Sequence, residues 1–315
     1  MRTQKPVYVD LLPPCNAGCP AGENIQAWLA HAKAGRTEQA WRTLTADNPF
    51  PAIHGRVCYH PCETVCNRAQ LDGSVSIHSV ERFLGDTAIE QGWQFHAPEK
   101  SSGHRVLVVG AGPSGLSAAY HLRMLGHDVV VRDNSPEPGG MMRYGIPSYR
   151  LPRDVMDAEI SRLVNLGITF EQNHVVTDLQ SELEEGGFDA AFVAVGAHLS
   201  KRVDIPNQDA SRVLDAVSFL RGVETGERSE DLGRVAVYGG GNTAMDAARV
   251  ARRLGSEDTI IVYRRTREQM PAHEEEATDA EEEGIRINWL RTITSMGEGD
   301  LTVEIQELDE FGKPQ

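Results

Sequence analysis

The sequence predicts an α/β protein in which a short helical domain carrying every cysteine precedes two Rossmann-like dinucleotide-binding domains in tandem. Three observations carry that prediction. All five cysteines fall before residue 67. A glycine fingerprint, Gly110-Ala-Gly112-Pro-Ser-Gly115, follows one apolar run and opens a helical pattern. A second, Gly239-Gly-Gly241-Asn-Thr-Ala244, does the same further along. The expected divisions are a helical domain over 1–95, a linker over 96–104, the first dinucleotide domain over 105–200 and the second over 201–315.

Length and charge bound the alternatives. A chain of 315 residues is long enough for two or three domains with cores of their own. Its formal net charge of −15 is unevenly spread. Residues 1–100 hold 9 basic and 10 acidic side chains, whereas 268–310 hold 2 basic and 14 acidic. No apolar run approaches the roughly 18–20 residues that a membrane span needs. Met1 to Asp10 lacks the apolar core of a secretory signal. An acidic chain without a basic stripe is a poor nucleic-acid binder. The expected location is the cytoplasm.

The cysteines come in two groups, Cys15-x3-Cys19-Pro20 and Cys58-x3-Cys62-x3-Cys66. An odd number of cysteines, tightly clustered and with no export signal, argues against a disulfide framework. Cys-x3-Cys-Pro is part of a bacterial iron–sulfur run, and thiolates suit the soft iron of a cubane. Four thiolates also suit tetrahedral zinc, and buried, unligated cysteines are the plainest alternative. Five thiolates suffice for one [4Fe–4S] cluster with one to spare. A second cluster needs other ligands, for which Glu81 and His54 are nearest. Between the groups, Asn24 is placed to cap a helix through Ile25, Trp28, Leu29 and Ala32 that Gly35 stops. A second helix from Thr37 to Ala46 puts Ala40, Trp41 and Leu44 on one face. The pair is expected to bring the cysteine groups together, with the tryptophans in the core.

The first fingerprint sits in a complete βαβ pattern. Arg105-Val-Leu-Val-Val109 reads as a buried strand, the helix runs through Leu116, Ala119, Leu122 and Leu125, and Asp128-Val-Val-Val131 is the next strand. Gly110 makes the tight turn, Gly112 lets backbone approach a pyrophosphate, and Gly115 packs helix on strand. Pro113 and Ser114 open the helix, whose N-terminus favours phosphate. Asp133 ends the second strand, where an acid can bind ribose hydroxyls. The later pair Gly139-Gly140, leading into Met141, is typical of flavoproteins and points to FAD, though a surface turn also explains it. Phe188 to Ala197 reads as a later buried strand with a small-residue end.

The second fingerprint repeats the design, with a strand at Arg234–Tyr238, a helix to Leu254 and a strand at Thr259–Tyr263. Gly239, Gly241, Asn242 and Thr243 form its phosphate loop, and Ala244 fills the third glycine position, which the fingerprint allows. No acid ends the second strand. Arg264, Arg265 and Arg267 stand there instead, which suits a ribose 2′-phosphate and so NADP(H) over NAD(H). The alternative is that these arginines offset acids such as Glu268. The acidic run His273–Gly284 reads as a solvated helix that buries little, or as an acidic docking face.

These motifs together resemble one family. Cys15-x3-Cys19-Pro20, Gly55-Arg-Val-Cys58, Cys62, Cys66, Gly110–Gly115, Gly139-Gly140, Tyr144-Gly-Ile-Pro147, Gly239–Asp246 and Tyr263-Arg-Arg-Thr-Arg267 span nearly the whole chain. The chain resembles the small (β) subunit of NADPH-dependent glutamate synthase. It is also similar to the matching domains of dihydropyrimidine dehydrogenase and to ferredoxin:NADP reductase subunits of that superfamily. The resemblance implies that Val57, Asp133 to Met141, Arg150 and Val176 line FAD. It implies that Gly241 to Thr243, Arg264 and Arg265 hold NADPH. The family has an upstream Cys-x2-Cys that is absent before Cys15, so one cluster is expected. Family members also return from the NADP domain to complete the FAD domain. Here that completion, about 100 residues on the usual domain scale, is expected to lie beyond Gln315 or to come from a partner.

The function implied is electron input: hydride from NAD(P)H to FAD, then single electrons through the cluster to a larger catalytic subunit or a ferredoxin-type acceptor in a hetero-oligomer. One alternative is the NAD(P)-linked FAD subunit of a ferredoxin-dependent 2-oxoacid:acceptor oxidoreductase, with flow toward NAD(P)+. Another is a non-catalytic redox-sensing or assembly subunit. No side chain is expected to act as a nucleophile, since the cofactors carry the chemistry. The absence of a cysteine pair after the flavin fingerprint argues against a disulfide reductase.

Overall fold

The structure is a computed structural model that describes residues 12–197, 205–206, 213–227, 232–297 and 299–314. The chain divides into two compact units, 1–139 with 150–195 and 140–149 with 196–315. Its fold class is the α/β arrangement expected from the sequence, with parallel sheets behind each glycine fingerprint. No helix among the described residues is long and apolar enough to cross a membrane.

The first unit begins with six helices: α1 (Pro14–Gly18), α2 (Ile25–Lys33), α3 (Thr37–Leu44), α4 (Pro51–Val57), α5 (Pro61–Thr64) and α6 (Ile77–Glu90). Asn24 caps α2 as expected, its side chain accepting the Ala27 N–H at 3.2 Å. Trp28 and Trp41 are fully buried. Ile25, Trp28, Ala40, Leu44, Cys62, Ile77 and Leu84 form one cluster, against which Cys15 and Cys19 pack. Gly18 lies so close to α5 that an added Cβ would meet Val65 and Cys62. The helices therefore do bring the two cysteine groups into one region.

The chain continues through β1 (Arg105–Val109), α7 (Pro113–Met124) and β2 (Asp128–Arg132). The following helix, α8 (Met141–Tyr144), belongs to the second unit. Then come α9 (Arg153–Asn165), β3 (Thr169–Glu171), α10 (Leu179–Gly186) and β4 (Ala190–Val193). The strands form a parallel sheet in the order β3-β2-β1-β4. Residues 96–104 carry no helix or strand, and Ser102 N–H donates to the Gly126 carbonyl at 2.9 Å. One expectation is corrected. β4 is not buried: Phe192, Val193 and Val195 are 42%, 55% and 58% exposed. It is an edge strand of the sheet, and no strand among the described residues pairs with its outer side.

A buried carboxyl ties α9 to α4. Glu159 accepts the Ala52 and Ile53 N–H groups at 3.2 and 3.0 Å, satisfying the first turn of α4. It also pairs with Arg162 at 3.2 Å, whose Nε donates to the Trp93 carbonyl. Removing one partner of such a pair strands the other, so Glu159→Ala is expected to cost about 3–5 kcal/mol in denaturant unfolding. Burial pushes the Glu159 carboxyl up to about 7, against the opposing pull of Arg162. The folded state thus holds a proton that the unfolded chain releases at lower pH. Stability from this group is full below the ordinary carboxylate range and is lost as pH rises toward about 7. A wild-type unfolding midpoint that falls over that window, with the slope removed in Glu159→Gln, is the expected result.

The second unit holds α8, α11 (Ala216–Glu224), β5 (Arg234–Tyr238), α12 (Asn242–Arg253), β6 (Asp258–Tyr263), α13 (Glu274–Glu282) and β7 (Arg286–Trp289), then a hairpin of β8 (Arg291–Met296) and β9 (Leu301–Ile305). The parallel sheet runs β5-β6-β7. The acidic helix α13 differs from the solvated helix expected. It buries Ala277 and Ala280 against Met245, Ala248 and Ile261. Its acids are also largely matched: Arg249 meets Glu276, Asp279 and Glu283, and Arg253 meets Glu283. The local charge excess is thus partly an ion-paired seam that fixes α13 to α12.

Candidate cofactor and cluster sites

At the first fingerprint, Gly110 has φ +108 and sits against the Ala194 carbonyl, so any side chain would collide with backbone. Gly115 packs equally closely on the Gly110 carbonyl. Gly112 takes the N-cap of α7 without a side-chain cap, and Pro113 and Ser114 open the helix. The first N–H groups of a twelve-residue helix are therefore presented as an anion would need them. Asp133 is fixed by two backbone donors: Ala111 N–H to Oδ2 at 2.7 Å and Ser135 N–H to Oδ1 at 2.7 Å. Gly139, with φ +126, donates to the Ala111 carbonyl at 2.8 Å, so the second glycine pair folds back on the first loop. The division between the two units falls between Gly139 and Gly140, and Met141 begins α8.

The remaining residues of the FAD set are less concentrated. Val57 ends α4, immediately before Cys58. Arg150 donates to the Tyr59 hydroxyl at 3.2 Å. Val176 packs on Leu107, Val109, Val130 and Phe188. Sequence reasoning missed Gln172, one residue past β3. Both its amide atoms are buried without a hydrogen-bond partner. The carbonyl of its neighbour Glu171 accepts the Asp133 N–H at 3.1 Å, so Gln172 follows directly on the residue paired with Asp133. These features fit a bound dinucleotide. Gly110→Ala combines a left-handed backbone with a clash, costing about 1–3 kcal/mol. The variant is expected to lose most of its flavin, read as the flavin-to-protein absorbance ratio against wild type.

At the second fingerprint, Gly239 has φ +154, and Gly240 packs against the Tyr263 ring. Gly241 N-caps α12, again without a side-chain cap, and Asn242 and Thr243 form its first turn. Asn242 Oδ1 accepts the His273 N–H at 3.0 Å. The three arginines part company here. Arg267 is held by Glu274 and Glu281 at 2.7 and 2.8 Å, which raises its guanidinium pKa. Arg264 is exposed and Arg265 half-buried, neither with an ion pair among the described residues. The Arg265 Nε is buried without a hydrogen-bond partner. Glu268 has no ion pair with any of them among the described residues, and its carboxyl is lowered mainly by the Thr266 hydroxyl. A free arginine pair with an orphaned buried donor fits a phosphate ligand.

Within the helical region, the five cysteines divide by environment. Burial raises the Cys19, Cys58 and Cys62 thiols, and the charge of Glu81 acts on each of the three. Cys62, 7% exposed, is pushed up to about 12, with Cys19, Glu63 and Cys58 adding to the effect of burial. Cys66 is different. Backbone N–H groups, that of Val75 foremost, lower its thiol. Cys15 packs on the hydrophobic cluster, its Sγ 3.8 Å from Asn16 Oδ1. Glu81 is itself raised well above the carboxylate range by burial and by the charge of Glu23.

Asn48, also missed from sequence, joins these buried acids. Its Nδ2 donates to Glu23 Oε1 at 2.8 Å and to Glu81 Oε1 at 2.7 Å. Its Oδ1 accepts the Phe50 N–H and lies 2.8 Å from His54 Nδ1. His54, lowered to about 4 by burial, is neutral at ordinary pH and engaged with Asn48. Three thiols raised by burial, each within electrostatic reach of Glu81, suit a cluster whose protons are displaced on binding.

A helical thiol-bearing region and two glycine-loop βαβ units, one with a ribose acid and one with arginines, define a class: pyridine-nucleotide-linked flavin oxidoreductases with an iron–sulfur domain. The chain belongs to the pyridine nucleotide-disulphide oxidoreductase family, which matches residues 104–311. Residues 11–93 match the dihydropyrimidine dehydrogenase domain II, 4Fe-4S cluster, which sets aside the zinc alternative for the cysteines.

Among its relatives, it is 36% identical to the NADP(+)-dependent formate dehydrogenase subunit beta of Moorella thermoacetica, over 90% of this chain and 44% of that protein. It is 36% identical to the NADPH-Fe(3+) oxidoreductase subunit beta of Geobacter sulfurreducens, over 88% and 42%. It is 35% identical to the glutamate synthase [NADPH] small chain of Azospirillum brasilense, over 88% and 61%. The chain thus spans between 42% and 61% of the length of these relatives. Its fold is similar to that of Mycobacterium tuberculosis FprA in complex with NADPH, with TM-score 0.58 and 20% identity over 67% of this chain and 66% of that one.

Proposed function

We propose that this chain is the electron-input part of a larger oxidoreductase, taking electrons from NADPH and passing them through flavin and a single [4Fe–4S] cluster to a partner subunit. The observation that carries the reading is the chemistry at α4. This helix ends in Val57, assigned to the flavin, and the next residue is Cys58, one of the three thiols grouped with Glu81. Flavin and cluster residues are thus adjacent on one capped element.

The division proposed is a helical cluster domain over 1–95, an FAD domain over 105–200 and an NADP domain over 201–315. Cys19, Cys58, Cys62 and Glu81 hold the cluster, with Cys15 and Cys66 outside the set. Gly110, Gly112, Pro113, Ser114 and Gly115 hold the FAD pyrophosphate on the α7 N-terminus, and Asp133 takes the ribose. Gln172 supplies a donor and an acceptor beside it. Val57, Gly139 to Met141, Arg150 and Val176 complete the flavin surroundings. Gly239, Gly241, Asn242 and Thr243 hold the second pyrophosphate, and Arg264 and Arg265 the 2′-phosphate.

When bound, the cofactors supply the chemistry: hydride transfer between nicotinamide and flavin, and one-electron transfer at the cluster. The protein's part is to place charge and exclude water. The uncapped N-termini of α7 and α12 stabilise phosphates, and the buried Glu23–Asn48–Glu81 set keeps the cluster region dry and fixed. The relatives' names include an NADP(+)-dependent and an NADPH-dependent protein, and the same residues serve either direction of flow.

The test is anaerobic mixing of the flavin-loaded protein with NADPH. Bleaching of the flavin band followed by reduction of an artificial one-electron dye is the expected result. A bound flavin that NADPH leaves oxidised sinks the reading.

A further inference from the structure

Beside the cysteines stands a second set of metal-competent side chains with no role in the assignments above. One ligand atom each from His60, Glu63 and His78 lies within 4.8 Å of the others. His60 is the N-cap of α5 and Glu63 lies within that helix, between Cys58 and Cys66, and His78 is in the first turn of α6. The two imidazole rings stack with centroids 4.1 Å apart and planes 12° from parallel, so their in-plane lone pairs run side by side and one ring turns out of the stack for both to reach a single ion. Glu63 joins them. Its Oε1 is 2.8 Å from His78 Nδ1 and accepts the His78 backbone N–H at 2.9 Å, while its Oε2 is 3.9 Å from His60 Nε2.

The geometry around His60 is specific. Its backbone has φ 40 and ψ 56, a left-handed conformation that a non-glycine residue rarely adopts. Its Nδ1 lies 3.1 Å from the Cys58 carbonyl, which can only accept. The proton therefore resides on Nδ1, and Nε2, turned toward Glu63, carries the free lone pair. The 3.9 Å between Nε2 and Oε2 is too long for a hydrogen bond. Two ligands each roughly 2.0–2.2 Å from one ion can lie about that far apart.

We propose that His60, Glu63 and His78 form a binding site for one divalent transition-metal ion of borderline softness, Zn2+ being the best match, distinct from the iron–sulfur ligands. Two imidazoles and a carboxylate are a nitrogen–oxygen donor set without sulfur. The side chains of His60 and His78 are 27% and 32% exposed, so the site is reached from solvent and has room for water as a further ligand. Binding through Nδ1 replaces the His78 Nδ1–H···Oε1 hydrogen bond, the ring proton moving to Nε2 as the neutral imidazole changes tautomer. Because His60 and Glu63 lie within two residues of Cys58 and Cys62, respectively, along the chain, occupancy sets a positive charge beside the proposed cluster and makes it easier to reduce.

The test uses anaerobically prepared protein with its iron in place, titrated with ZnCl2 by calorimetry and examined by zinc-edge X-ray absorption. One zinc per chain, unchanged iron and sulfide, and a nitrogen–oxygen shell near about 2.0–2.2 Å are expected. His78→Asn, which lies outside the cysteine loop, and Glu63→Gln should each weaken binding roughly tenfold or more, with iron content retained. Three outcomes overturn the proposal: no uptake by the wild type, uptake undiminished in both variants, or a sulfur shell accompanied by loss of iron.

Discussion

Serine in place of Cys19, Cys58 or Cys62 is expected to strip the protein of its iron, while serine at Cys15 or Cys66 leaves most of it bound. The contrast follows from the two environments. Burial raises each of the first three thiols, and each lies near enough to Glu81 to be raised further when that carboxyl ionises. Without metal, Cys62 stays protonated to about pH 12, so a bare thiolate there is unfavourable and a cation must displace its proton. A serine hydroxyl holds its proton more tightly still and offers iron a harder, poorer donor. Iron per chain should fall roughly tenfold or more, since even outer-shell changes act on that scale. Cys66 is set apart by backbone N–H groups, that of Val75 foremost, which lower its thiol where burial raises the other three. Iron and labile sulfide assays on the five single variants decide the matter. Equal iron loss in all five would refute the three-thiol assignment.

Arg264→Ala and Arg265→Ala should each raise KM for NADPH by roughly 10- to 100-fold, the worth of a hydrogen bond to a charged group, and leave KM for NADH almost unchanged. The reason is selective pairing. Of the three arginines after β6, Arg267 already neutralises Glu274 and Glu281 and donates to the Thr278 hydroxyl. The other two have no ion pair among the described residues, and one buries an unmatched donor. Arg267→Ala should therefore loosen α13 with little change in nucleotide preference. Steady-state dye reduction with both nucleotides reads all three variants. Equal loss with NADPH and NADH would show that the arginines steady the fold instead of reading the 2′-phosphate.

Much of this was legible in the sequence because its signals are local. Strand, glycine loop and helix are consecutive, so the βαβ units at Gly110 and Gly239 could be read in order. The capping Asn24 and the buried face of α3 followed from spacing alone. The buried polar groups were harder. Glu81 lies on the same stripe as Ile77, Leu84 and Ala88, and Glu159 on that of Met156, Ile160 and Leu163. An acid on an apolar stripe is a visible signal of a buried partner, but the partner is remote in sequence. Asn48 and Gln172 carried no signal, since their roles come from tertiary neighbours. The fate of Arg267 depended on α13 turning its Glu274 and Glu281 toward it, which charge counting could not resolve.

The open side of β4 has a consequence for nucleotide affinity. An edge strand that no strand among the described residues pairs with, and whose Phe192 and Val193 are exposed, is a template onto which another extended segment can add. The residue after β4 is Ala194, whose carbonyl forms the wall against which Gly110 turns. Any strand that pairs there stiffens that wall and with it the floor of the phosphate loop. Strand addition at the edge and dinucleotide binding at the loop are then linked equilibria, each lowering the ordering cost of the other by the same free energy.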